Sequence, residues 1–209
     1  MSGGSPAVVF DFGGVLITPI TEKISHLAVR HHSTVPVLLE LFLGPRESGE
    51  HPWHRAERGE IPVGEIQALL GVWADEAGIT LVGDEIEVLL VPTYQIVTQM
   101  TSRVAELQRE GIATALLTNT FAEFRPTLEH NIDLSTFDQV IESYVVGARK
   151  PELAIYLATA EALGVEHRDI IYLDDFEQNL VPARQLGWRT IHVVGHVQAL
   201  AELDALLES

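Results

Sequence analysis

Ala7-Val8-Val9-Phe10-Asp11-Phe12-Gly13-Gly14-Val15-Leu16-Ile17 decides how the rest of the chain is read. Apolar residues run into a single carboxylate, two glycines follow, and a second apolar run begins. The spacing predicts a buried strand that ends in a tight, bare loop. A parallel strand covered on both faces carries a continuous apolar run, and open parallel sheets bind ligands beyond the carboxyl ends of their strands. Asp11 is therefore expected on that rim. Gly13 and Gly14 remove side chains beside it, so that backbone groups can approach an anion or a metal closely.

The chain has 209 residues, of which 46% are hydrophobic and 21% charged. That is enough for one well-buried core with a smaller appended unit. The formal net charge of −17 argues against a nucleic-acid or anionic-membrane surface, since a polyanion is repelled at long range. An anionic substrate then needs a cation to help hold it. The absence of cysteine excludes disulfides and thiolate chemistry. No apolar run reaches membrane-spanning length, and Met1-Ser2-Gly3-Gly4-Ser5-Pro6 has neither the basic end nor the apolar centre of a signal peptide, so a cytoplasmic location is expected.

From Thr18 to Leu90 the apolar residues recur at helical spacing, as in Ile24, Leu27 and Ala28 and again in Val37, Leu38, Leu41 and Phe42. Pro19, Pro36, Gly44-Pro45, Pro52, Gly59, Pro62 and Gly83 divide this helical insertion into short pieces, one of which is expected to start near Ile61 and run to Ala77. His51-Pro52-Trp53-His54-Arg55 is a candidate substrate-facing lip. The doublet His31-His32 has no ligand partner at local spacing and reads as a solvated helix end.

After Pro92 strands and helices alternate. Tyr94 to Glu110 reads as an amphipathic helix stopped by Gly111, and 112–117 as a strand ending in Thr118-Asn119-Thr120. A helix from Phe121 to Asn131 and a short strand over 137–141 follow. Gly147-Ala148-Arg149-Lys150-Pro151 is a loop whose proline is expected to open the helix Glu152 to Leu163. A strand over 169–173 runs into Asp174-Asp175, then come a helix from Phe176 to Leu186, a strand over 190–194 and a terminal helix. The alternation implies an α/β fold, a parallel sheet with helices on both faces. Residues 1–17 and 91–209 are expected to form this core and 18–90 the helical insertion.

Three strand ends therefore carry Asp11, Thr118-Asn119 and Asp174-Asp175, and Lys150 reaches the same rim from a loop. Carboxylates from different strands suit a hard cation such as Mg²⁺, which keeps positions open for water and phosphate oxygens. The lysine and the hydroxyl suit the phosphate.

Phe-Asp11-Phe-Gly13-Gly14-Val-Leu, Leu-Leu-Thr118-Asn119, Arg149-Lys150-Pro151 and Leu-Asp174-Asp175-Phe-Glu-Gln-Asn179-Leu resemble the four ordered motifs of the haloacid dehalogenase superfamily. The resemblance spans nearly the whole chain. It implies a Rossmann-like core with a C1-type cap inserted after the first strand. Arg58-Gly59-Glu60-Ile61 in that insertion is similar to the subgroup holding the phosphatase domain of soluble epoxide hydrolase and bacterial sugar-phosphate phosphatases. By this resemblance Asp11 is a nucleophile that forms an aspartyl-phosphate. Thr118 and Asn119 hold the phosphoryl oxygens, and Lys150 neutralises charge on phosphate and nucleophile. Mg²⁺ is bound by Asp11, the Gly13 carbonyl and Asp175, with Asp174 and Asn179 organising those ligands from behind.

One position departs from the pattern. Relatives that are phosphatases carry a second Asp two residues after the nucleophile as general acid and base, and this chain has Gly13 there. Proton transfer of that kind contributes ~10²–10⁴ in rate. The expectation is a Mg-dependent phosphomonoesterase acting on a small phosphorylated metabolite with a good leaving group, or one that borrows its acid from His51 or His54. Metal-independent dehalogenation and a binding protein that has lost turnover are the alternatives. Neither nucleic acid nor membrane is expected as a partner, and the chain reads as a monomer or homodimer.

Overall fold

The computed structural model describes residues 5–45, 49–83, 85–91 and 94–208. Residues 1–4, which carry most of the stretch inspected for a leader, and Pro92, read as the return to strand and helix alternation, lie outside the described residues. Five strands, β1 (Ala7–Phe10), β2 (Ala113–Thr118), β3 (Gln139–Glu142), β4 (Ile170–Asp174) and β5 (Arg189–His192), form one parallel sheet in the order β3-β2-β1-β4-β5. The fold is α/β with a parallel sheet flanked by helices. β1 is central because all four of its side chains are fully buried and it has a partner on each edge, with Phe10 opposite Leu116 on one side and Leu173 on the other. The Asp11 N–H still donates to the Leu173 carbonyl (2.9 Å), so the carboxylate leaves the sheet where the ladder ends.

The two-residue period of the strands feeds two cores. Val8 and Phe10 face one cluster and Val9 the other, on opposite sides of the sheet. Between β1 and β2 lie α1 (Thr21–Arg30), α2 (Val35–Leu43), α3 (Pro52–Glu57), α4 (Ile66–Leu69), α5 (Gly71–Glu76), α6 (Glu85–Leu90) and α7 (Thr98–Arg109). The first six share an apolar cluster of their own, built on Ile24, Leu38, Phe42, Ile66, Leu70 and Leu89. α7 instead packs on the sheet through Met100, Val104 and Leu107, which share one face at helical spacing. Then come α8 (Arg125–Asn131), α9 (Ser143–Val146), α10 (Leu153–Leu163), α11 (Glu177–Gln185) and α12 (His196–Leu207).

Several boundaries differ from those the pattern predicts. The expected helix over 61–77 is a 3-10 turn (Val63–Glu65) followed by α4 and α5, which are separated at Leu70 just before Gly71, a residue with low helix propensity. The helix expected from Tyr94 begins only at Thr98, because the preceding residues pair with the chain leaving β1. The Val97 N–H donates to the Leu16 carbonyl, the Thr18 N–H to the Gln95 carbonyl, and Ile17 and Ile96 form an antiparallel bridge. The two crossings into and out of the helical segment are thus stitched together. Pro151 lies outside α10; Glu152, with extended backbone, is the cap residue and the Lys150–Pro151 peptide is cis. The His31 imidazole does not end in solvent. It pairs with the buried Glu85 carboxylate at 2.7 Å, a partner from 54 residues downstream that local spacing could not reveal.

The chain winds from β1 outward through β2 to β3, then returns to β4 on the other side of β1 and outward to β5. The β1/β4 boundary is therefore the switch point of the sheet, where adjacent loops diverge and leave a crevice at the carboxyl ends. Among the described residues no helix is long and apolar enough to cross a membrane.

Candidate active site

The crevice at the switch point opens into a cavity of about 630 Å³, and its floor carries Asp11, Gly13, Thr118, Asn119, Lys150, Asp175 and Asn179. Their meeting follows from the parallel register. Asp11, Thr118 and the Asp174-Asp175 pair stand at the ends of β1, β2 and β4, and parallel strands present all their carboxyl ends on one rim.

Lys150 is the hub. Its buried Nζ lies 2.7 Å from Asp11 Oδ1 and 2.9 Å from Asp174 Oδ2, and donates to the Leu117 carbonyl at 3.2 Å. Burial disfavours the ammonium, but the Asp11 and Asp174 charges outweigh it and hold the Lys150 pKa above its ordinary value. Asn119 was expected to contact phosphate. It lines the cavity, and its side chain grips the Lys150 backbone, Oδ1 accepting the Lys150 N–H at 2.8 Å and Nδ2 donating to the Lys150 carbonyl at 3.0 Å. An amide that offers one acceptor and one donor to the same peptide fixes where the lysine leaves its loop.

Asp174 is fully buried and saturated. It accepts from Lys150, from the Tyr172 hydroxyl, from Asn179 Nδ2 at 3.0 Å and from the Phe176 N–H at 2.7 Å. It takes no part in the cavity lining. Its work is to hold Lys150, and Asn179 holds it in turn.

Asp11 and Asp175 are different. Both Asp11 contacts, the Phe12 N–H at 2.6 Å and Lys150 Nζ, fall on Oδ1, so Oδ2 is without a hydrogen bond among the described residues. Asp175 Oδ1 is buried without a hydrogen-bond partner among the described residues. Burial first, then the Asp174 charge, raises the Asp11 pKa to about 7 against the opposing pull of Lys150. Burial followed by the Asp11 and Asp174 charges raises Asp175 to about 8. Three carboxylates offer oxygens within 4.8 Å of one another, against one ammonium. Such a site is short of positive charge, and an orphaned buried carboxylate oxygen costs free energy until a cation or proton meets it. The oxygen-only donor set fits a hard divalent cation. Gly14 makes the approach possible: its φ is +72°, and a Cβ there would stand 2.1 Å from Asp175 Oδ2.

His51 and His54, expected to face the substrate, do not line the cavity. Both are fully buried behind Gly44, whose Cβ position lies 2.6 Å from His54 Nε2. The Trp53 N–H donates to His51 Nδ1 and His51 Nε2 donates to the Leu41 carbonyl, while the Gly49 N–H donates to His54 Nδ1. Burial lowers their pKa values to about 4 and about 3. They are neutral packing groups and offer no acid to the cavity.

Sequence reasoning missed two contributors. Tyr172 was read as one apolar position in a strand, yet its hydroxyl bonds Asp174. Glu57 of α3 forms a buried ion pair with Arg149, next to Lys150, and also accepts from Trp53 Nε1 at 2.9 Å. The neighbouring Arg58 reaches Glu152 Oε1 (3.2 Å) and the Gly49 carbonyl (3.2 Å). The juxtaposition of Arg149 with Lys150 and of Glu57 with Arg58-Gly59 was visible in the chain, but their pairing was not.

Over 207 residues the chain is 27% identical to sesquiterpene phosphatase astK of Aspergillus oryzae, covering 96% of each. Over 212 residues it is 32% identical to acyl-CoA dehydrogenase family member 10 of Mus musculus, covering 99% of this chain and 20% of the mouse protein, so it spans about a fifth of that relative's length. A HAD family enzyme of Bacteroides thetaiotaomicron, crystallised with magnesium and inorganic phosphate, shares the fold with a TM-score of 0.63 at 22% identity, over 90% of this chain and 93% of that one. The family model of haloacid dehalogenase-like hydrolases matches residues 6–187. This chain belongs to the haloacid dehalogenase-like hydrolases.

Proposed function

We propose that the protein is a divalent-cation-dependent phosphomonoesterase that works through an aspartyl-phosphate on Asp11, with the helices of residues 18–90 as a cap over the rim. The observation that carries this reading is the unequal use of the two Asp11 oxygens: Oδ1 is held by Lys150 and the Phe12 N–H, while Oδ2 is left for reaction on the cavity floor. The phosphatase name of the Aspergillus relative and the magnesium and phosphate in the Bacteroides structure support the same chemistry.

Asp11 and Asp175, with the carbonyl of Gly13, would hold Mg²⁺. When bound, that ion supplies the charge neutralisation that lets two carboxylates stay ionised beside a phosphate dianion. The remaining work belongs to the chain. Lys150, fixed by Asn119 and Asp174, orients Asp11 and meets charge on the phosphoryl oxygens, and Thr118 offers its hydroxyl on the same floor. Asp11 Oδ2 forms a bond to phosphorus as the bond from phosphorus to the alcohol oxygen breaks. Water then attacks phosphorus, which releases inorganic phosphate and restores the carboxylate. With Gly13 in place of a carboxylic acid, the departing oxygen takes its proton from water, so rates are expected to depend steeply on leaving-group acidity.

Hydrolysis of p-nitrophenyl phosphate with and without Mg²⁺, in the wild type and in Asp11→Asn, tests the reading. Metal-dependent turnover that disappears in the variant is the expected result. Turnover that survives in Asp11→Asn, or that ignores the metal, overturns it.

A further inference from the structure

The cavity above the phosphate floor is walled mainly by carbon. Ile20, Leu39, Trp53, Tyr94, Phe121 and Phe124 line it, drawn from the helical segment on one side and from the sheet rim on the other. Trp53 and Phe121 meet edge to face with ring centroids 4.9 Å apart, and Tyr94 and Phe124 at 6.1 Å. These pairs fix two of the walls.

Several polar atoms of those walls are already in use. The Trp53 indole N–H donates to Glu57, the Tyr94 hydroxyl donates to the Leu89 carbonyl at 2.9 Å, and Thr18 Oγ1 accepts the Gln95 N–H. Thr120 Oγ1 is buried and has no hydrogen-bond partner among the described residues. A sugar or other polyol in this space would leave most of its hydroxyls facing carbon, which a buried site penalises heavily. Charge points the same way. Among the described residues the cationic side chains that line the cavity are Lys150 and Arg149. The first is paired with Asp11 and Asp174, and the second with Glu57. Glu40 and Glu57 add negative charge to the lining. Arg149 Nη1 is one further buried donor in the lining without a hydrogen-bond partner among the described residues, and Lys150 and Arg149 are the whole of the positive charge that the described lining offers an anion.

We infer that the substrate is the phosphate monoester of an apolar alcohol, with a hydrocarbon body on the order of ten carbons, a size suited to a drug-sized cavity such as this one. The inference rests on the phosphomonoesterase reading for the identity of the head group. It also narrows the expectation of a small phosphorylated metabolite, since the Arg58-Gly59-Glu60-Ile61 resemblance covers both the epoxide hydrolase phosphatase domain and sugar-phosphate phosphatases. Those residues do not present a polar face to the substrate; Arg58 is spent on Glu60, Glu152 and the Gly49 carbonyl.

Alkyl phosphonates, which cannot be hydrolysed, separate this inference from the reading beneath it. Calorimetric titration of the Mg²⁺-loaded full chain with ethyl-, hexyl- and decylphosphonate, below their micelle concentrations, reads the walls directly. Each buried methylene should tighten binding about threefold to fourfold until the cavity is full, so eight added methylenes that all bury give roughly 10⁴-fold between ethyl and decyl. Leu39→Asn should flatten that slope. Affinity that does not rise with chain length, or rises equally in Leu39→Asn, overturns the inference, as does a lower KM for glucose 6-phosphate than for decyl phosphate. The p-nitrophenyl phosphate assay decides the phosphatase reading separately. Chain-length-dependent binding without any turnover would refute the enzyme and leave an apolar phosphate site.

Discussion

Glu57 of α3 and Arg149, the residue before the site lysine, form a buried ion pair across 92 residues of sequence. Through it the helical segment grips the loop that carries Lys150, while Asn119 grips the same loop from the sheet. The loop is held from both sides, so the placement of Lys150 depends on the docking of the helices. Glu57→Gln keeps the side-chain shape but leaves the guanidinium buried with its charge uncompensated. Removing one partner of such a pair costs about 3–5 kcal/mol. Urea denaturation should show a loss of at least about 2 kcal/mol, much of it recovered when Arg149 is also replaced by Met. A loss below about 0.5 kcal/mol would show the pair to be solvated like a surface bridge.

The raised pKa values of Asp11 and Asp175, about 7 and about 8, predict an unusual pH profile for the metal-free protein. Both groups bind protons more tightly folded than unfolded, where their ordinary value is 3.8. The stability they contribute is complete below that value and is lost as pH rises through the folded values, by up to about 1.4 kcal/mol per pH unit for each group. Metal-free protein should therefore weaken as pH climbs from about 6.5 to 8. Mg²⁺ competes for the same oxygens, so its apparent affinity should strengthen over that interval. Chelator-treated and Mg²⁺-saturated samples compared by thermal denaturation check both. A metal-free melting temperature that rises with pH there would contradict the assignment.

Much of this arrangement was legible in the chain, and the reason is periodicity. Continuous apolar runs mark buried parallel strands, and the polar residues closing each run mark the rim; Asp11, Thr118 and Asp174-Asp175 all fall there. Pairings over long separations were not legible. The His31–Glu85 and Glu57–Arg149 contacts join residues whose local surroundings say only that each is polar. The misreading of His51 and His54 has the same root. Next to Trp53 and Pro52 they looked like a lip over the substrate, and only the path of Leu41 and Gly44 over them turns that lip inward. The bonds from the Asn119 side chain to the Lys150 backbone were likewise not legible, because a motif gives position and not hydrogen-bond direction.

His51 and His54 carry their own prediction. Buried and neutral, with pKa values lowered to about 4 and about 3, they bind protons less readily folded than unfolded, where 6.5 is ordinary. Their contribution is present above that value and lost as pH falls through 6.5 toward 4, by about 1.4 kcal/mol per unit for each. With Mg²⁺ saturating, so that the site carboxylates do not offset the effect, the urea midpoint should fall steadily from pH 6.5 to 4.5. In His54→Gln the slope should be about half as steep. An unchanged slope in that variant would place the imidazole in contact with solvent.

Gly13 and Gly14 are adjacent and should respond in opposite ways. A Cβ on Gly13 meets nothing within 4 Å, and its backbone is not in the left-handed region. Gly13→Asp should therefore fold normally and place a carboxyl two residues after the nucleophile, where a proton donor to the departing oxygen is missing. Rates on alkyl phosphates, whose leaving groups need protonation, should rise by about 10²–10⁴, with little change on p-nitrophenyl phosphate. At Gly14 the left-handed φ of +72° and the 2.1 Å approach to Asp175 Oδ2 leave no room for a methyl group. Gly14→Ala must displace either the loop after β1 or Asp175, so Mg²⁺ affinity and turnover should fall together by at least tenfold, with a backbone cost of about 1 kcal/mol. The decisive comparison is the slope of log kcat/KM against leaving-group pKa. It should be steep in the wild type and shallow in Gly13→Asp, and equal slopes would mean that some other group already delivers the proton.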